Sequence, residues 1–455
     1  MNHRRNLWAI SIGLAALVVL AVQAAAGPFE EGVDAYNRGE YTRAYRLWLP
    51  LAERGNAHAQ FKVGLLYYTG EGVPQDYHQA ARWCRLAADQ GYAQAQSELG
   101  ALYAEGQGVP QDYQQAARWY RLAADQGYAL AQSELAALYY HGRGFPQDYQ
   151  QAAHWWRLAA DRGDAVAQSN LGVLYAEGQG VPQDYNQAAR WYRLAADQGY
   201  AKAQFSLGAL YYHARGFPQD YQQAAHWWRL AADQGDAEAQ YGLGYLYDKG
   251  QGVPQDDQQA AHWWRLAADQ GDAQAQFNLG VLYEKGQGVP QDYQQAAMWY
   301  ILAADQGDAE AQYGLGYVYE KGQGVPQDYQ QAARWYRLAA DQGYAPAQSN
   351  LGVLYEKGQG VPQDYHQAAR WYRLAADQGY AKAQLGLGVL YGLGQGVPKD
   401  SVQAHMWFNL AAAQGDPLAP QLRDLLEKEM TSSERAEAQR LAQLTHTAQE
   451  TSASA

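Results

Sequence analysis

Cysteine occurs once in the 455 residues, as Cys84, so the chain has neither a disulfide framework nor the thiol pairs of a structural zinc site. Positive charge is short as well. Thirty-four Lys and Arg face 47 Asp and Glu, a formal charge of −13, and no basic patch interrupts that balance. Nucleic acid and anionic membrane are therefore poor partners. Long apolar runs are absent beyond residue 22. Leu7 to Val22 is the single one, and its sixteen residues fall short of the ~20 that a spanning helix needs.

Catalytic signatures are missing too. The eleven histidines form no His-Glu-x-x-His pair and no Cys/His cluster, which leaves a metal site without ligands. Gly-x-Gly recurs, but ahead of Val-Pro and without the Lys-Ser/Thr of a phosphate cradle. No Gly-x-Ser-x-Gly elbow occurs. Asp256 and Asp257 begin an exposed helix and lack an apolar pocket that would tune them as acid and base. His141 and His213 read as exposed helix-end residues. The expectation is a protein that is not an enzyme and uses no cofactor and no metal.

The N-terminus has the layout of an export signal. Arg4 and Arg5 head the apolar run, and Ala24-Ala25-Ala26 offers the small side chains that a signal peptidase inspects. Cleavage after Ala26 would leave a mature charge of −15, in the periplasm or outside the cell and with no stable insertion in the membrane. The rival reading is an uncleaved membrane anchor.

What is abundant is repetition. Prolines fall at 74, 110, 146, 182, 218, 254, 290, 326, 362 and 398, always 36 apart, and Trp83 to Trp407 keep the same step. Ten repeats therefore run from Asn56 to Gly415 without an insertion, and a fixed period of this length means stacked supersecondary units. Residues 92–127 make up repeat two. Ala95, Leu99, Leu102 and Tyr103 recur at helical spacing in Tyr92 to Glu105, which predicts an amphipathic helix, A. The turn from Gly106 to Pro110 ends it. Asp112 then caps helix B, with Gln115 placed to complete a capping box, and Gly127 supplies a left-handed stop.

Ala116, Trp119, Tyr120, Leu122 and Ala123 are read as the inner side of helix B. The Trp column is expected to hold one repeat to the next. Gly100 recurs inside helix A in nine repeats, with Ala136 in the other. A mid-helix glycine costs ~1 kcal/mol, so it implies close helix approach, with Ala116-Ala117 as the expected partner. Cys84 stands where other repeats carry Tyr120, Trp156 or Phe408 and is read as a small core hydrophobe. Arg82, Arg85, Arg118 and Arg121 are expected on a solvated face, paired as Arg85–Asp89 and Arg121–Asp125.

The ends differ. Residues 1–26 are the expected signal peptide and 27–55 a degenerate capping repeat, with Tyr36, Tyr45 and Trp48 facing inward. Residues 416–455 are expected to hold a closing helix (Leu418 to Met430), a polar helix capped by Thr431 and Glu434, and a disordered tail from Glu450.

At this point the residues carry a resemblance. Leu99-Gly100-x-Leu102-Tyr103, Gly106-x-Gly108-Val109, Asp112, Ala116, Trp119 and Ala123-Ala124 are similar to the Sel-one-like repeat, a relative of the tetratricopeptide repeat, in all ten units. The resemblance implies an all-α fold, a right-handed α/α superhelical solenoid, and an adaptor or scaffold role. Departures are few: Ala214 for the loop glycine, Phe145 and Phe217 for the loop valine, and Asp257 for the tyrosine that opens helix B. Some cysteine-rich relatives bind penicillins, which would imply an envelope hydrolase. Their paired cysteines are absent here.

Because the repeats copy one another closely, the positions at which they differ stand out. In helix A these are the equivalents of 94, 97, 101, 104 and 105, which share one helical face. Resemblance to tetratricopeptide repeats makes it the lining of a concave groove. Repeats two to four place Ser97, Ala101, Ser133, Ala137, Ser169 and Val173 there. Repeats five to eight place Phe205, Tyr241, Tyr245, Phe277, Tyr313 and Tyr317 there, with Lys249, Lys285 and Lys321 beside them. Rings rimmed by charge suit a protein or extended-peptide partner. A glycan is the alternative, since such rings also stack on sugars. Against both stands the possibility that the rings fill the seams between A helices.

Overall fold

The structure, a computed structural model, describes residues 27–454, with side chains to residue 449. The segment expected as a signal peptide, residues 1–26, lies outside the described residues. Those residues form 24 helices and no strand, and the chain divides after Asp220 into two compact units. Each is an α/α array of the 36-residue repeat.

Local chemistry sets each helix. Helix A of repeat two runs Ala93–Glu105 and stops at Gly106, whose φ of 74° is left-handed. Helix B runs Tyr113–Asp125, and the Asp112 carboxylate accepts the amides of Gln114 and Gln115 at 2.9 and 3.0 Å. The capping box stays half-built. The Asp112 amide donates to the Tyr103 carbonyl at 2.9 Å instead, tying the turn back to helix A. Gly108 is required for a second reason: a Cβ there would run into the Tyr77 carbonyl of the preceding repeat.

The glycine column meets a ring rather than the alanine pair. A Cβ on Gly100 would lie 2.7 Å from the Tyr120 ring, and Gly172, Gly280, Gly316 and Gly352 face Tyr192, Tyr300, Tyr336 and Tyr372 in the same way. Cys84 takes the ring position in repeat one. It is buried, and burial pushes its thiol pKa up, as for an inert core residue.

Neighbouring repeats are joined three ways. Trp191 and Trp299 each pack into the core of the preceding repeat. A buried glutamine stands in every helix A, and Gln96 shows its use: its amide donates to the Ala88 carbonyl of repeat one at 3.1 Å, and its oxygen accepts from Gln126 at 2.7 Å. The third link replaces the expected arginine–aspartate pairs, while Arg82, Arg85 and Arg118 are exposed as expected. Arg121 donates to the Tyr139 hydroxyl of the next repeat at 2.5 Å and lies 5.0 Å from the Trp155 ring. Arg157 repeats this with Tyr175 at 2.6 Å and Trp191 at 4.9 Å. Neither Arg85 nor Arg121 pairs with an aspartate.

Helices Pro28–Asn37 and Tyr41–Glu53 precede the repeats. Trp48 is buried between them, against Gly32, and donates to the Phe29 carbonyl at 3.0 Å. At the other end the closing helix is Ala419–Glu427. His405 replaces the usual alanine of helix B, is fully buried, and holds Glu427 at 2.7 Å. Thr431 and Glu434 form the expected capping box, with bonds of 2.7 and 3.3 Å. The helix that follows, Ser432–Ser454, continues through the segment expected as a tail. No described helix is long and apolar enough to cross a membrane.

Candidate partner-binding site

The candidate residues sit on four A helices: Ala201–Tyr212, Ala237–Lys249, Ala273–Lys285 and Ala309–Lys321. Phe205, half-buried, belongs to the first compact unit. The other five rings and the three lysines belong to the second, on consecutive repeats.

The rings fall into two ranks. Tyr241, Phe277 and Tyr313 form the inner one, and they are tied into the packing. Phe277 lies 5.7 Å from the Tyr300 ring of its own repeat, and Tyr313 lies 5.6 Å from Tyr336 and 5.4 Å from Tyr344 of the next repeat. Across the seam, Tyr241 and Tyr313 stand beside Asn278 and Asn350 of the next repeat. Burial raises the pKa of Tyr241, and it pushes Tyr313 up to about 12.

The Tyr313–Tyr344 contact also shows how other repeats manage with serine. Ser97, Ser169 and Ser349 are followed by Tyr128, Tyr200 and Tyr380 at the start of the next repeat. Tyr241 and Phe277 are followed by Asp272 and Asp308. At these seams one side or the other supplies the ring. The Ser133 seam has neither.

Tyr245 and Tyr317 form the outer rank. The Lys249 ammonium stands 5.7 Å above the Tyr245 ring and pairs with Asp248 at 2.7 Å. Lys321 repeats this over Tyr317 at 5.4 Å, paired with Glu320 at 2.7 Å. The bond to the acid raises each lysine's pKa. Glu320 also accepts from the buried Tyr336 hydroxyl at 2.8 Å, so the outer triplet is anchored to the core. In repeat seven between them, Glu284 accepts from Tyr300 at 2.6 Å, but Val281 takes the outer ring's place and Lys285 is exposed. The face thus offers two Tyr–Lys–carboxylate triplets two repeats apart, able to meet flat groups and charges of both signs.

Among the described residues no group of three or more His, Cys, Asp or Glu could hold a metal ion. His141 and His213 are exposed at helix ends. The buried glutamines and the Arg–Tyr bridges were not among the expected site residues. Their signal is a column of polar residues: glutamine in all ten A helices and, at the Arg121 place, arginine in eight of the ten B helices.

The Sel1 repeat model matches residues 57–92, 93–128, 129–164, 165–200, 201–236, 237–272, 273–308, 309–344, 345–380 and 381–416. No curated protein matches the chain. Among solved structures, c5321, a protective antigen present in uropathogenic Escherichia coli strains and displaying an SLR fold, is 37% identical. The TM-score is 0.85, over 95% of this chain and 96% of that one. A Sel1 repeat protein from Oxalobacter formigenes is 33% identical with a TM-score of 0.48, over 54% of this chain and 96% of that one.

Proposed function

Because this chain belongs to the Sel1 repeat family, whose repeats serve as protein-interaction scaffolds, we propose that it is an exported, non-catalytic adaptor that holds an extended peptide segment on helix A of repeats five to eight. Tyr245 with Lys249 and Tyr317 with Lys321 are its principal contacts. Tyr241, Phe277, Tyr313 and Lys285 line the same face of the second unit, and Phe205 is the equivalent ring in the first. The observation that carries this reading is the pair of triplets: the equivalent outer positions of repeats two to four are Ala101, Ala137 and Val173, so the fold does not need a ring there. Two aromatic planes with fixed charges beside them give contact area at low entropic cost. Export rests on Arg4, Arg5, the apolar run and Ala24 to Ala26. The description of a relative as a protective antigen is in keeping with it.

The test is retention of envelope proteins on the immobilised chain, followed by titration of the retained protein. Tyr245→Ala with Tyr317→Val, residues used at this place in other repeats, should leave melting unchanged. Binding should weaken by about 2 kcal/mol, the scale of a lost hot spot. Unchanged affinity with a lowered melting point would make the outer rings structural and remove the proposal.

A further inference from the structure

Helix B of repeat seven, Tyr293–Asp305, departs from its sisters on one face. Where repeat eight carries Arg334 and Arg337, repeat seven has Met298 and Ile301. Ile301 is half-buried and, like Tyr319 and Trp335, packs against the core cluster of repeats seven and eight. Met298 and its neighbour Leu302 stay outside, each 42% exposed.

One other repeat has methionine at this place, repeat ten with Met406. There Met406 and Leu410 are each only 4% exposed. The final helix lies over them, bringing Leu441 and Ala442 into their cluster, and the Thr445 hydroxyl reaches the Met406 sulfur at 3.9 Å. The chain thus contains one covered and one open copy of the same Met–Leu helix face.

The covered copy shows what chemistry fits. The inner side of the final helix is small and apolar at Ala438, Leu441 and Ala442, with Arg435 and with Arg440, which pairs with Glu437 at 2.6 Å, on the same helix. The open copy lacks both arginines of repeat eight and keeps Asp305, which is exposed, as is Asp269 of repeat six, and neither forms an ion pair. A basic edge is therefore welcome there. The exposed Leu266 and Leu338 of the adjoining repeats add apolar surface on either side.

We propose that the Met298–Leu302 face of repeat seven docks an amphipathic helix of a partner protein, with alanine and leucine on its inner side and Lys or Arg along its edge. Methionine suits this use because its side chain adapts to the groove it meets. The site is separate from the helix A face and stands without it.

The probe is a fluorescein-labelled peptide of residues 432–449 of this chain, which has the required chemistry, titrated into the full-length protein by anisotropy. Saturable binding is expected. Met298→Arg with Ile301→Arg rebuilds the residues of repeat eight, so the variant should fold and melt as wild type does, yet bind about tenfold more weakly, as when an anchor is lost. Leu374→Glu, at an exposed leucine of repeat nine, should bind like wild type. No binding, equal affinity in the double variant, or an equal loss in Leu374→Glu overturns the proposal. A wild-type dimer in light scattering that the double variant disperses, with no peptide binding, would assign the face to a second copy and overturn it as well.

Discussion

The indole of Trp264 occupies the space that any side chain on Gly244 would need, since a Cβ there would lie 2.5 Å from the ring. Trp264 also donates its N–H to the Tyr241 carbonyl, a turn earlier on the same helix, at 3.2 Å. Helix A therefore approaches helix B along a glycine, and the ring is pinned at the contact. Gly244→Leu should cost about 1–3 kcal/mol through overpacking, more than the ~1 kcal/mol of helix propensity that it gains. Urea unfolding decides this: a raised midpoint would mean that the contact has slack.

Ala214 sits at φ 56°, the one described non-glycine residue with a left-handed backbone, at the turn where the other repeats have glycine. That conformation costs an L-residue roughly 1–2 kcal/mol. Glycine removes the cost and returns part of it as chain entropy in the unfolded state. Ala214→Gly should stabilise by about 0.5–1 kcal/mol on this balance. A thermal melt showing no gain would mean that the turn is not strained.

Gln276 donates to the Ala268 carbonyl at 3.1 Å and accepts from Gln306 at 2.9 Å. Gln276→Leu removes both bonds, leaving the Ala268 carbonyl with the Gly271 amide at 3.0 Å as its donor and Gln306 without its acceptor, a loss of about 1 kcal/mol per bond. If the hydrophobic gain of leucine prevails instead, the urea midpoint will rise and the glutamine column will count as tolerated rather than required.

Glu98 is half-buried on helix A and forms no ion pair, and burial first, then the Glu105 carboxylate, raises its pKa. A carboxyl raised on folding binds its proton more tightly in the native state. Its contribution to stability is present in acid and is lost as the pH climbs from the ordinary carboxylate value through the raised one. Glu98→Gln should therefore raise the melting point at neutral pH, change it little in acid, and flatten the slope between them. Parallel pH profiles for the two proteins would clear Glu98 of the effect.

Much of the fold was legible beforehand because it is decided locally. Asp112 as a cap, Gly106 and Gly127 as stops, and Cys84 as a core residue all follow from backbone preference and periodicity within one repeat. The errors lie between repeats. Arg121 was matched with Asp125 on its own helix because that partner is near in sequence. Its true partner, Tyr139, belongs to the next repeat. Gln96 is polar yet buried with both ends bonded, and one of its two partners, the Ala88 carbonyl, belongs to the preceding repeat. The inner rings looked optional because Ser97 replaces them, and the compensating Tyr128 lies past the end of the repeat.

Thirty-six residues of local preference and a ten-fold period were enough to dictate where each helix starts, where it stops, and that the units stack. They could not say that Tyr313 would touch Tyr344, or that Met406 would be covered while Met298 stays open. Those outcomes depend on the angle and spacing at which one repeat meets the next, or at which the final helix crosses repeat ten. Such geometry is a joint property of side chains from separate segments, and no single segment encodes it.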